Sequence, residues 1–348
     1  MGFSLHVALS HEVAEIAMRY PIAGLVAFIV ACVGIFRVTV LTLSYFAVLF
    51  NLFLLPGASL KKYGAGKGAW VVITGASDGI GKEYAYQLAA RGFNVGLVSR
   101  TESKLLALKE EIESKYKVEA RVLAMDVSTD SSSNYQALAE FVEGLKVTVL
   151  INNVGMSHSI PTPFLETSDR ELRDIITINN IATLKFTQIV VPRILKNIDK
   201  NAVAKRGLVL TMGSFAGLTP TPLLATYSGS KAFLQAWNNA MARELEPQGV
   251  DCQLVLSYLV TSAMSKIRRT SAMIPNPNQF VKSAIHSIGR RVGAQDRYAT
   301  TTPYWSHALL HWLLENSIGV WSRLLISINY NMHVDIRKRA LRKAEKLK

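Results

Sequence analysis

Residues Ala69 to Gly81 leave this chain few folds to choose from. Ala-Trp-Val-Val-Ile-Thr over 69–74 is an unbroken run of strand length, and Gly75-Ala-Ser-Asp-Gly79-Ile-Gly81 follows it directly. From Lys82 to Arg91 the apolar residues return at helical spacing. A buried strand that turns on glycines into a helix brings backbone close to a pyrophosphate, with the positive end of the helix facing it. On that reading Val71, Gly75, Ser77, Asp78, Gly79, Ile80 and Gly81 belong to a dinucleotide site. The spacing is Gly-x-x-x-Gly-x-Gly, not the Gly-x-Gly-x-x-Gly of the usual fingerprint, and a plain tight turn is the competing reading.

Downstream residues favour the first. Strands are expected at Asn94–Ser99, Arg121–Met125, Val147–Ile151, Leu208–Met212 and Val250–Ser257, and helices at 102–117, 135–144, 168–197 and from Tyr227 to about Glu246. Strand alternating with helix gives an α/β fold, a doubly wound, Rossmann-like parallel sheet with its loops gathered at the strand C-termini. Chemistry should therefore sit at strand ends. An acidic residue after the second strand would grip the ribose 2′-hydroxyl of NADH. Ser99-Arg100 stands there instead, and a hydroxyl beside a guanidinium suits the 2′-phosphate of NADPH; a solvated Arg100 is the bland alternative. Asp126 closes the third strand, where a carboxylate can reach an adenine amino group. Asn152, Asn153, Val154 and Gly155 close the fourth, where amides either line the adenosine pocket or tie neighbouring loops. Asn179, in Ile-Thr-Ile-Asn-Asn-Ile-Ala, is a polar amide in an apolar helix and needs a partner, a water or a loop backbone.

Tyr227 and Lys231 are four residues apart, one helical turn, so both face the same way. A phenol titrates near 10, and an ammonium one turn away is expected to pull that value down toward proton exchange at neutral pH. Ser214, delivered by the fifth strand, can hold a substrate carbonyl while Tyr227 protonates its oxygen. A carbonyl so held needs a hydride, which a reduced nicotinamide supplies. No metal site is expected.

The remaining segments set the location. Of 348 residues 49% are hydrophobic, and the net charge is +14. The excess charge is not gathered around aromatics, which argues against a nucleic-acid partner and for an anionic membrane face or a phosphate-bearing ligand. Residues 1–20 form a mildly polar flank. From 21 to 55 a single charge, Arg37, interrupts an apolar stretch long enough to span a bilayer once or as two tight halves. A signal peptide is shorter and starts earlier, and a core helix is the other alternative. Lys61, Lys62 and Lys67 follow, and the positive-inside rule puts the catalytic part, 61–300, in the cytosol. Residues 263–302 hold Lys266, Arg268 and Arg269 and suit a lid; those cations either meet an anionic substrate or are solvated. Residues 301–348 form an extension, interfacial or re-entrant over 302–332, with a basic tail from Arg337 that suits lipid headgroups or is simply solvated. The two cysteines, Cys32 and Cys252, lie where no bridge can join them, which fits a reducing compartment.

Thr74-Gly-Ala-Ser-Asp-Gly-Ile-Gly81, Asn152-Asn-Val-Gly155, Asn179, Ser214 and Tyr227-x-x-x-Lys231 together resemble the short-chain dehydrogenase/reductase family. The resemblance spans 69–262. It implies Ser214 steadying the carbonyl, Tyr227 as acid/base, Lys231 lowering the phenol pKa and holding the nicotinamide ribose, and Asn179 feeding a proton-relay water. Val260 and Ser262 match the segment that holds the carboxamide, although Ser257 stands where proline is usual. The anchor and the apolar C-terminal third are similar to the membrane branch that serves fatty-acid elongation in the endoplasmic reticulum of fungi. That likeness implies a long-chain 3-oxoacyl-CoA substrate, NADPH, membrane lipids and other elongase subunits as partners. A membrane-bound 17β-hydroxysteroid dehydrogenase or a 3-ketosphinganine reductase would share the same residues. A non-catalytic scaffold would not need Ser214, Tyr227 and Lys231 intact.

Overall fold

Leu, Ile, Val and Phe dominate α1 (Pro21–Phe53), one continuous helix of 33 residues that runs through Arg37 without a break. The computed structural model describes residues 19–198 and 203–346, and the chain divides into two units after Phe53. The expected polar flank over 1–20 therefore lies almost wholly outside the described residues, as do the last two residues of the tail. At 1.5 Å per residue α1 is roughly 50 Å long, more than the ~30 Å hydrocarbon layer needs. None of its side chains is buried, and among the described residues it is the one helix long and apolar enough to cross a membrane. Its few polar side chains turn inward on their own backbone. The hydroxyls of Thr39 and Thr42 donate to carbonyls one turn back, and the Asn51 amide does the same, which suits a helix surrounded by lipid.

From Leu54 onward a seven-stranded, wholly parallel sheet carries the fold. The strands are β1 (Trp70–Thr74), β2 (Asn94–Ser99), β3 (Ala120–Ala124), β4 (Val147–Asn152), β5 (Gly207–Met212), β6 (Val250–Val255) and β7 (Thr300–Thr301). Their order is β3-β2-β1-β4-β5-β6-β7. Alternation along each strand feeds two cores. Val71 and Ile73 face a layer built with Tyr84, Leu105, Ile112 and Phe280. Trp70 and Val72 face the other, with Leu138, Phe186, Val190 and Ile194. Both faces are covered, as near-continuous apolar strands require. Helices α2 (Gly79–Ala89) and α3 (Glu102–Tyr116) follow β1 and β2, and α4 (Ser132–Phe141) follows β3.

The single helix expected over 168–197 is instead three pieces. Between α5 (Asp169–Ile176) and α6 (Ala182–Lys196) the backbone widens into a π-turn over Thr177–Ile181, where the Ala182 N–H bonds the carbonyl of Thr177, five residues back. After β5 come the short α7 (Phe215–Leu218) and the long α8 (Ala225–Leu245).

The C-terminal third departs furthest from expectation. Residues 263–302 are not one lid: α9 (Pro277–His286) and β7 lie within them, the strand pairing with β6 through Leu254 and Val255. Nor is the start of 302–332 interfacial, because Thr302, Tyr304, Ser306, His307, Ala308 and His311 are buried in the body of the protein. Apolar exposure comes later. It gathers toward the end of α10 (Trp305–Asn316), in the turn that follows, where Trp321 is 71% exposed, and on α11 (Arg323–Glu345), where Leu324 and Ile328 are exposed. Arg337 is neither solvated nor free for lipid: its guanidinium donates to the Pro161 carbonyl (2.9 Å), the Thr162 hydroxyl (3.2 Å) and Glu166 (2.6 Å).

Candidate active site

β1 is flanked by β2 on one side and β4 on the other, so successive connections leave it in opposite directions. A crevice opens there at the strand C-termini, the place where open parallel sheets bind ligands. Its cavity measures ≈ 390 Å³, inside the ~300–1,000 Å³ range typical of a small-molecule pocket.

The glycine turn forms one wall. Gly75 and Gly79 adopt left-handed φ angles of +66° and +55°, which L side chains rarely accept. A Cβ on Gly81 would lie 2.2 Å from the Gly75 carbonyl oxygen, so α2 starts hard against the turn. That start is Gly79, not Lys82 as the periodicity suggests, and Asp78 caps it by accepting the Gly79 N–H at 2.7 Å. Thr74 is the hub behind the turn. Its hydroxyl accepts the N–H groups of Asn153 (2.9 Å) and Val154 (3.0 Å), while the Asn153 amide donates to the Thr74 carbonyl at 2.9 Å. Asn153 thus ties two loops together, the structural alternative of the pair weighed from sequence. Asn152 turns away and donates to Thr187 at 2.9 Å.

At the far end Arg100 is exposed on the crevice, and Ser99 bonds Ser77 hydroxyl to hydroxyl at 2.7 Å. Asp126 lines the same region, with one carboxylate oxygen already accepting the N–H and the hydroxyl of Ser128. Gly75, Asp78, Gly79, Ile80, Asn153, Val154, Gly155 and Ser262 also line it. Val71 does not: it lies inside β1, 0% exposed, with its side chain committed to the core. Gly81, Asn152 and Val260 likewise stand behind the lining. Sequence reasoning missed the apolar lining, chiefly Met125, Met156, Ile178, Met212 and Met264. Ile178 lies in the π-turn; for the methionines the only signal was a place at a strand end or in the loop after one.

Tyr227 and Lys231 rise from the first turns of α8 into the floor of the crevice. Ser214 closes β5, caps α7 by accepting the Ala216 N–H at 3.1 Å, and hydrogen-bonds the Tyr227 phenol. Lys231 is 5% exposed and donates to the Met212 carbonyl at 2.8 Å, its ammonium 6.0 Å from the Tyr227 ring centre. Burial pulls its pKa down to about 8. Tyr227 runs against the sequence expectation. Its pKa is raised, because burial outweighs the lowering hydrogen bond from Ser214. The ammonium that was expected to lower it is turned toward a backbone carbonyl. Asn179 lies in the π-turn, fully buried. Its amide donates to the Met156 carbonyl (2.9 Å) and the Ser230 hydroxyl (2.8 Å), and its oxygen accepts the Met156 N–H (2.7 Å). Ser230 in turn donates to the Tyr227 carbonyl at 2.7 Å. The π-turn therefore joins the loop after β4 to the helix that carries the phenol.

The cradle fits a nicotinamide dinucleotide on its own geometry. Left-handed glycines admit close backbone approach, a helix N-terminus faces the space, a cation replaces the acidic residue at the end of β2, and a phenol–hydroxyl pair with a buried amine closes the other end.

Similarity to known proteins agrees with the geometry. The family model described as short chain dehydrogenase matches residues 69–272. A very-long-chain 3-oxoacyl-CoA reductase of Meyerozyma guilliermondii is 63% identical over 315 residues, covering 90% of this chain and 92% of that one. The protein of the same name from Eremothecium gossypii is 59% identical and covers 99% of this chain and 97% of its own. Among solved structures, a short-chain dehydrogenase from Sphingobium yanoikuyae in complex with NADPH superposes with a TM-score of 0.57 at 27% identity, over 68% of this chain and 87% of that one. With its crevice at the β1–β4 divide, Tyr227 and Lys231 on that crevice's floor and Ser214 paired with the phenol, this chain belongs to the short-chain dehydrogenase family.

Proposed function

We propose that the chain reduces very-long-chain 3-oxoacyl-CoA to (3R)-3-hydroxyacyl-CoA with NADPH, as a step of fatty-acid elongation. The observation that carries this is one crevice with a phenol–hydroxyl pair and a buried amine at one end and Arg100 at the other. The identity of about 60% to reductases named for that substrate, over nine-tenths of the chain, supports it. Ser99 and Arg100 hold the cofactor 2′-phosphate, and the turn from Gly75 to Gly79 faces the pyrophosphate. Bound NADPH supplies the hydride. Ser214 and Tyr227 hold the 3-oxo oxygen between two donors, and Tyr227 gives that oxygen its proton as charge develops. Lys231 holds the ribose and favours the phenolate once proton transfer begins. Asn179 keeps Tyr227 and the Met156 loop in register and leads replacement protons toward Lys231.

The setting follows from the flanking segments. α1 anchors the chain in the endoplasmic-reticulum membrane, and Lys61, Lys62 and Lys67 keep the catalytic unit on the cytosolic side. Lys266, Arg268 and Arg269 suit the phosphates of CoA. Trp321, Leu324 and Ile328, followed along α11 by Lys338, Arg339 and Arg342, suit an anionic lipid surface where other elongase subunits work. The deciding experiment supplies the full-length protein in microsomes with NADPH and, separately, a long 3-oxoacyl-CoA, estrone and 3-ketosphinganine. Turnover of the thioester is expected. Turnover of the steroid or the sphingoid base alone overturns the assignment.

A further inference from the structure

Loop 258–275 runs from the end of β6 to the start of α9, and its first half, through Ser262, Ala263 and Met264, forms part of the crevice wall. A loop of this length with three exposed cations in its middle ordinarily moves. Its two ends, however, converge on one buried side chain. His307, at the start of α10 and 0% exposed, accepts the Tyr258 N–H on Nδ1 (3.3 Å) and meets the Met273 carbonyl with Nε2 (3.1 Å). An N–H can be received only by an unprotonated nitrogen, so the proton sits on Nε2 and donates to Met273. Beside it the Ser306 hydroxyl donates to the Ala272 carbonyl at 2.7 Å. Rings of Phe215, Tyr258, Phe280 and Tyr304 enclose the imidazole, and burial takes its pKa down to about 4, so it remains neutral and keeps one donor and one acceptor. Neither residue touches the crevice.

We propose that His307, with Ser306, is a positioning residue that staples loop 258–275 across its base and so sets the shape of the substrate mouth. The C-terminal helices are then not only a surface element. Through His307 they fix the loop that carries Lys266, Arg268 and Arg269, and the Lys266 ammonium reaches across the mouth to the Ser159 carbonyl at 2.6 Å. Cutting the staple should loosen the strip from 259 to 272, leaving it held by the Thr261 N–H on the Pro275 carbonyl (3.0 Å) and by Lys266, with Ser214, Tyr227 and Lys231 in place. The idea rests on the reductase reading for its kinetic consequence only.

The test uses the full-length enzyme in detergent micelles, as His307→Leu, His307→Gln and Ser306→Ala. Limited trypsin digestion reports the loop directly, since Lys266, Arg268 and Arg269 are exposed cleavage points, and cleavage after exposed Lys117 is the control. In His307→Leu, cutting within 266–269 should speed up about tenfold, the size expected for losing one or two neutral hydrogen bonds, with cutting at 117 unchanged. His307→Gln, which retains a donor and an acceptor, should fall between Leu and the native protein. The KM for 3-oxoacyl-CoA should rise by a similar factor with kcat within about twofold. If His307→Leu does not fold, Ser306→Ala is read in its place against the same outcomes. Loop cleavage as slow as in the native protein, equal acceleration at 117, or a Gln variant as open as the Leu variant overturns the proposal. A native protein that does not turn over 3-oxoacyl-CoA refutes the reductase reading instead, and leaves the trypsin result standing.

Discussion

Replacing Lys231 by methionine should stabilise the cofactor-free protein and abolish its activity, two effects of one buried charge. Lys231 is 5% exposed, its ammonium donates to the Met212 carbonyl, and no carboxylate among the described residues forms an ion pair with it. Burial therefore draws its pKa from 10.5 to about 8. Below about pH 8 folded and unfolded chains both hold the proton, and the folded state bears the whole penalty of the buried charge. From there to about pH 10.5 only the unfolded chain holds it, so stability climbs with pH, and above that the penalty is gone. That drop in pKa corresponds to roughly 3 kcal/mol. Methionine removes the charge at similar volume but leaves the Met212 carbonyl without its donor, worth about 1 kcal/mol. The net gain at neutral pH is then roughly 1–3 kcal/mol, several degrees in melting temperature. Urea pulse proteolysis of both proteins from neutral pH to about pH 9.5 measures it. Cys252, raised to about 12, and Tyr63 and Tyr84, raised further, all lose stability as alkali is added. They do so in both proteins, so the difference between the two curves isolates Lys231. That difference should be largest at neutral pH and shrink above pH 8. NADPH oxidation should fall by at least about 10²-fold. A variant less stable than the native protein at neutral pH, or a difference that does not change with pH, refutes the reasoning.

Tyr227→Phe keeps the ring and loses the proton, so kcat should fall about 10²–10⁴-fold while NADPH binding, followed by fluorescence, changes less than about threefold. Arg100→Ala should weaken NADPH about 10–100-fold and NADH hardly at all, and equal losses would remove the 2′-phosphate from Arg100. Gly81→Ala forces a Cβ to 2.2 Å from the Gly75 carbonyl, so the turn must open; cofactor affinity should drop by more than about tenfold, with a loss of about 2–3 kcal/mol in stability read by the same urea titration.

What could be read from the residues was whatever depends on local order. The strand, glycine turn and helix at 70–89 announce themselves through a run, a spacing and a period. Tyr227 and Lys231 share a helix face by arithmetic, and Ser99-Arg100 is adjacent in the chain. The parts that stayed hidden depend on distant partners. β7 has two threonines and becomes a strand only because β6 offers an edge. The π-turn has no periodicity of its own; it forms where Asn179 can satisfy both the Met156 backbone and Ser230. The direction of the Tyr227 shift was misjudged because spacing places Lys231 near the phenol but does not say where its ammonium points. The methionines of the crevice wall look like core in any sequence. Even Val71, assigned to the cofactor from its motif, sits in a strand buried on both faces, so its side chain goes to the core.

The π-turn also limits how this protein can be altered. A π-turn is in effect an α-helix with one residue too many, and deleting that residue would let α5 and α6 run together with ordinary bonds throughout. The repaired helix would gain regularity, but everything on one side of the deletion would swing by about 100° relative to the other. Asn179 could then no longer face both Met156 and Ser230. The apparent flaw at 177–181 is therefore one that stability-driven redesign would erase first and that reduction could least tolerate losing.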